Sequence, residues 1–124
     1  MSVQTSATNA LSGYRDLIVW QKSISLAEGV YAVTKSFPPS ARFGLTDQLQ
    51  RAAVSVASNI AEGRRRESVR EFRHFLSIAH GSLAEVDTQL EIAVRIGYLA
   101  RGAIADLVEL IDQISRMLAR LRDR

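Results

Sequence analysis

A chain of 124 residues, 47% hydrophobic and 23% charged, has the size and balance of one globular domain rather than of a disordered tail or a fibre. It has no cysteine, which excludes disulfides and thiolate metal sites, and a chain of this length can hold an apolar core without such staples. The net charge of +3 is carried by arginine far more than by lysine, a balance that permits nucleic-acid contact without requiring it.

The first dozen residues, Met1 to Ser12, are rich in Ser, Thr and Ala without apolar periodicity, and read as a flexible N-terminal tail before a single domain over 13–124. They lack the basic start and apolar run of a secretion signal. No later stretch is uninterrupted enough to cross a bilayer, so the expectation is a cytoplasmic protein with no membrane contact. From about Tyr14 to Ser36, Leu17, Trp20, Ile24, Ala27 and Tyr31 recur at helical steps, with Leu26, Val30, Val33 and Phe37 as a second row. The first predicted helix is therefore apolar on more than one face. Pro38 and Pro39 end it, because proline cannot continue the hydrogen-bond ladder.

The second helix is predicted from about Phe43 to Glu62, with Leu49, Ala52, Ala53, Val56 and Ile60 inward and Gly63 as its stop. The third begins near Ser68, an N-cap with Glu71 three residues on. It carries Phe72, Phe75, Leu76, Ala79, Leu83, Val86, Leu90 and Ala93 as a core stripe, and should be the longest. A glycine-bounded turn, Gly97 to Gly102, precedes the fourth, from about Ala103 to Arg122, on which Leu107, Ile111, Ile114, Leu118 and Leu121 repeat. Its acidic residues come early and its arginines late, matching the helix dipole. No strand-like alternation competes, and short connections make consecutive helices antiparallel, so the predicted architecture is an all-α, up-down-up-down antiparallel four-helix bundle.

Particular strings on these helices carry a resemblance. Val19-Trp20-Gln21-Lys22, then Phe37-Pro38, then Gly44-Leu45-Thr46-Asp47-Gln48 precede Arg51-Ala52-Ala53-Val54-Ser55-Val56-Ala57-Ser58-Asn59-Ile60-Ala61-Glu62-Gly63. On the third helix stand Phe75-Leu76-Ser77-Ile78-Ala79-His80-Gly81-Ser82-Leu83-Ala84-Glu85 and Gln89-Leu90. From Tyr14 to Leu99 these closely resemble the signature of the bacterial four-helix bundle family of 23S rRNA intervening-sequence proteins, also called S23. Two places depart from it: Ser40-Ala41-Arg42 stands where an acidic residue is usual, and His80 where arginine is expected. The resemblance implies a bundle that assembles into a ring-like homo-oligomer, commonly a pentamer. Accessory proteins of diversity-generating retroelements, which work with a reverse transcriptase and bind nucleic acid, look like members of the same family.

Two polar stripes lie at helical spacing, Arg51, Ser55, Asn59 and Glu62 on the second helix and Ser82, Glu85 and Gln89 on the third. They can form a pocket or a hydrogen-bonded network that sets register. The network is the favoured reading, since buried polar groups need partners, and Arg51 with Glu62 or Glu85 is a candidate pair. Glu71 and His74 have the Glu-x-x-His spacing of di-iron bundles, but that chemistry needs the motif twice, so no metal or other cofactor is expected. No catalytic constellation stands out, and the chain is expected not to be an enzyme.

Arg64, Arg65 and Arg66, followed by Arg70 and Arg73, form the densest positive run. They are candidate contacts to phosphate that do not read bases, or else a solvated end partly neutralised by Glu67 and Glu71. Oligomerisation would multiply such a patch. Extra apolar rows, Leu26, Val30 and Val33 or Leu110 and Met117, would leave exposed patches on a monomer and point to burial against another copy, with a broad core-facing stripe as the equal alternative on the fourth helix. The expected function is a non-enzymatic homo-oligomeric scaffold or adaptor that binds RNA or DNA. A protein-interaction or structural module without nucleic acid is the alternative.

Overall fold

Proline, capping and glycine chemistry set the bounds of four long helices in the computed structural model, which describes residues 13–123. The expected tail over 1–12 lies outside the described residues. Tyr14–Asp16 form a 3-10 turn and Leu17 is extended, so helix α1 starts only at Ile18 and runs to Thr34. Tyr14 packs edge-on against Trp20 at 5.3 Å between centroids, and the Arg15 guanidinium lies over both rings. Pro38 is extended and Pro39 opens a 3-10 turn, Pro39–Ala41, where its missing N–H is not needed.

Helix α2, Leu45–Arg65, passes through Gly63, which the sequence marked as its end. The glycine is buried inside the last turn because α3 passes there: a Cβ added to Gly63 would stand 2.7 Å from the Phe75 Cβ. Its role is close approach, not termination. Helix α3, Val69–Arg95, is the longest, and the Ser68 hydroxyl accepts the Glu71 amide at 2.9 Å, the predicted cap. At its other end Gly97 takes φ +87°, while the Tyr98 amide reaches back to the Ala93 carbonyl at 2.8 Å. The left-handed residue with this back-bond is a Schellman termination, which a side chain at Gly97 would strain. Helix α4 covers Ala105–Arg122 after a 3-10 turn at Arg101–Ile104.

Among the described residues there is no strand, and no helix is long and apolar enough to cross a membrane. Each helix packs against two others, α1 on α2 and α4, and α3 on α2 and α4, with the α2–α3 interface the most extensive. Leu26, Leu49, Ile60, Leu83, Leu90 and Leu118 are among the side chains wholly withdrawn into the shared core. The α2, α3 and α4 stripes point inward as their periodicity predicts.

Helix α1 departs from its expected face. Its buried positions are Val19, Ser23, Leu26, Val30 and Thr34, so Leu26 and Val30, expected as surplus, are central to the core. Ile24 and Tyr31 from the other row are 36% and 47% exposed. A count of apolar residues ranks the two rows wrongly because two core positions are polar. Ser23 Oγ donates to the Val19 carbonyl at 2.7 Å, and Thr34 Oγ1 donates to the Tyr31 carbonyl while accepting from Gln50 Nε2 at 3.0 Å. With their hydroxyls bonded, both side chains can be buried at little cost.

Glu91 ties the end of α3 to the following turn. Its carboxylate accepts from Arg95 at 2.8 Å and from both terminal nitrogens of Arg101 at 2.9 and 3.0 Å. Hydrogen bonds from Arg101 and Arg95 lower its pKa from 4.5 to about 2. A carboxylate whose folded pKa is depressed contributes stability above its unfolded value and loses that contribution as pH falls through the folded one. Glu91→Gln is therefore expected to be less stable than the parent at neutral pH, with the two converging as pH falls from 4.5 to about 2. Parallel urea titrations across that range check this; curves separated by a constant amount would refute it.

Candidate nucleic-acid interface and polar seam

Small polar residues on α2 and α3 meet between the two helices. Ser55 Oγ lies 2.8 Å from Ser82 Oγ, and Asn59 Nδ2 donates to both the carbonyl and the hydroxyl oxygen of Ser55 at 2.9 Å. Three of the seven residues in the predicted stripes thus form one network. Small hydroxyls allow close packing, and their fixed partners oppose sliding of one helix along the other.

The remaining stripe residues do not join it. Arg51 donates through Nε to Asp47, at 2.9 and 3.1 Å, rather than to Glu62 or Glu85. Asp47 lies one turn earlier on the same helix, so the pair forms locally at the surface, where it contributes little to stability. Glu62 instead pairs with Arg66 at 2.6 Å. Glu85 and Gln89 border a shallow groove of about 310 Å³ with Gln48, Arg51, Ala52 and Ser55, and Gln89 Oε1 is buried without a hydrogen-bond partner.

The arginine run straddles the junction between helices. Arg64 and Arg65 belong to the last turn of α2, where cations oppose the negative end of the helix dipole favourably. Arg66 is withdrawn from the group: it pairs with Glu62, approaches Glu71 at 3.8 Å and lies over the Phe75 ring at 5.0 Å. Arg65, Arg70 and Arg73 are exposed and Arg64 is half-buried. Arg70 and Arg73 stand in the opening turns of α3, whose N-terminus already carries partial positive charge. Cations there are unfavourable for the isolated helix and suit a surface that meets an anion.

His74 is exposed, with its ring edge against Phe75 at 5.4 Å between centroids. No group of three or more His, Asp or Glu that could hold a metal occurs among the described residues.

A second polar cluster was not legible in the sequence. His80 Nε2 lies 2.8 Å from Ser115 Oγ, and Arg122 Nη1 donates to His80 Nδ1 at 3.2 Å. Arginine can only donate, so Nδ1 is the acceptor and Nε2–H donates to Ser115. Burial, and then the Arg122 charge, lower the His80 pKa below 6.5. The geometry opposes nucleophilic catalysis: the third group is a cation that disfavours imidazolium, where a hydrolytic triad needs an anion. Also on the surface, Phe43 is 87% exposed with the Arg42 guanidinium over its ring at 5.1 Å.

Residues 15–120 match the family model described as 23S rRNA-intervening sequence protein. Among solved structures, the chain is similar to a protein of unknown function from the S23 ribosomal protein family of Bacteroides thetaiotaomicron, determined at 1.70 Å. The two share 23% identity at a TM-score of 0.79, over 86% of this chain and all of the other, a likeness of fold. No curated protein matches the chain.

Proposed function

The chain belongs to the 23S rRNA-intervening sequence protein family, and from that premise we propose that it is a non-enzymatic homo-oligomeric scaffold whose arginine-rich end binds the phosphate backbone of RNA or DNA. The observation that carries this reading is the exposure of Arg65, Arg70 and Arg73 beside the positive N-terminus of α3. Phosphate contact of this kind supplies affinity without base readout and is strongly salt-dependent.

The proposed arrangement is up-down-up-down and antiparallel. Support comes from the Thr34–Gln50 hydrogen bond and the Phe37–Tyr98 ring contact at 5.2 Å, which join the end of α1 to the start of α2 and to the α3–α4 turn. In that arrangement Arg120, which lines a groove with Asp16 and Leu17, and Arg122 add to the same arginine-rich end. Assembly into a ring-like homo-oligomer, a pentamer as the family resemblance implies, draws on the outward apolar row of Ile24 and Tyr31 with Val54, which shares a groove with Tyr31. A ring would repeat the arginine patch and raise its avidity. The proposed compartment is the cytoplasm.

Fluorescence anisotropy with labelled RNA and DNA tests the nucleic-acid half. Arg65→Gln/Arg70→Gln/Arg73→Gln leaves the Arg66 ion pairs intact and is expected to weaken binding by roughly one to two orders of magnitude and to flatten its salt dependence. Light scattering on the same samples reads assembly separately. Phe43 favours a second reading, a protein-interaction module, since an aromatic so exposed is an interface anchor in waiting. An oligomer that binds neither polymer at low salt would overturn the first reading in favour of this one.

A further inference from the structure

His80 is the one histidine held by two side chains of another helix, and its two contacts respond differently to a proton. We propose that His80 is a proton-operated latch on the C-terminal end of α4: the neutral ring holds Arg122, and the protonated ring releases it.

The two ring nitrogens have different roles. Nδ1 accepts from Arg122 only while it carries a lone pair, and a proton there turns the contact into two donors and two positive charges facing each other at 3.2 Å. Nε2–H donates to Ser115 in both states, so the ring stays anchored as the guanidinium leaves. Ser115 and Arg122 are seven residues apart, two turns on one face, so the ring spans the last part of the helix. Among the described residues the ion contact of Arg122, from Nε to Asp123 Oδ1, is long at 3.8 Å, too long for a hydrogen bond.

The charged surroundings are simple among the described residues. From α4 the ring meets Ser115 and Arg122, and Arg122 is the charge that acts on it. From α2, contacts to α3 run through Ser55 to Ser82 and through Gly63 to Phe72 and Phe75, with no charged group acting on the ring. On α3 itself the positions one turn away, Leu76, Ser77, Leu83 and Ala84, are uncharged. Among the described residues no carboxylate acts on the ring, and the Asp123 carboxylate contacts Arg122 Nε instead. Burial and Arg122 both favour the neutral ring, which puts release in mild acid.

The test is amide hydrogen exchange of Ala119 to Asp123 in the full chain without nucleic acid, compared as protection factors at about pH 7.5 and about pH 5. The parent is expected to lose protection there by roughly three- to tenfold in acid, the equivalent of one hydrogen bond. His80→Asn, whose Oδ1 replaces the Nδ1 acceptor but does not titrate, is expected to keep the same protection at both pH values. Arg122→Gln, which lacks the charge that the latch holds and expels, is expected to show the lower protection throughout. Protection in the parent that does not change with pH, or a loss that His80→Asn or Arg122→Gln reproduces in full, overturns the proposal. The reading of Arg65, Arg70 and Arg73 as phosphate contacts is untouched by either result.

Discussion

Gly63→Val is expected to destabilise the fold by about 3 kcal/mol, the upper part of the range for overpacking a closed interface. The ideal Cβ position lies 2.7 Å from the Phe75 Cβ, 3.2 Å from Phe72 Cδ1 and 3.3 Å from the Phe72 carbonyl oxygen. Two of those atoms are backbone or fixed to it, so no rotamer change relieves the clash; α2 and α3 must separate. Gly63→Ala should lose less, because alanine regains about 1 kcal/mol of helix propensity. Gly29→Ala provides the contrast. Its Cβ would meet the tip of the Leu107 side chain, which can turn aside, so that variant should remain within about 1 kcal/mol of the parent. Urea midpoints for the three variants decide the matter, and equal losses at Gly29 and Gly63 would contradict the close approach of α2 to α3.

Leu26→Ala is expected to lose about 2 to 5 kcal/mol, as for other fully buried leucines, whereas Ile24→Ala, two positions away, should lose under about 1 kcal/mol in the monomer. The difference follows from facing: Leu26 is 0% exposed and Ile24 is 36% exposed. The pair also probes assembly. If the outward row of α1 joins copies, Ile24→Asp combined with Tyr31→Asp should lower the mass seen by light scattering while the helical signal persists. An unchanged mass would exclude that row from the interface. Comparable stability losses in Leu26→Ala and Ile24→Ala would contradict the facing of α1.

Local chemistry was legible wherever a single residue carried its own signal. Ser68 as a cap, Pro38 and Pro39 as the end of α1, and the apolar stripes of α3 and α4 need no partner to be recognised, because capping bonds and helical periodicity are properties of neighbouring residues. Gly63 was misread for the same reason. A glycine after a helical run is a common stop, and only the passage of α3 beside it distinguishes close contact from termination.

The candidate site divides in the same way. The arginine run was visible as a run, but Arg66 leaves it because Phe75 and Glu71 of α3 converge on it together with Glu62 of α2. Ser55, Asn59 and Ser82 came together as their spacing suggested, whereas Arg51 found the nearer Asp47. The sequence by itself determined the four helices, most of their inward faces and the family, since these depend on periodicity and on strings of adjacent residues. Tertiary structure alone decided which row of α1 is buried and that Arg66 meets Glu71 and Phe75, and it brought His80 to Ser115 and Arg122 across 35 and 42 residues. Each of those outcomes is a contact between helices, and the side chain that makes it is chosen by how the helices rotate and pack, which no local pattern encodes.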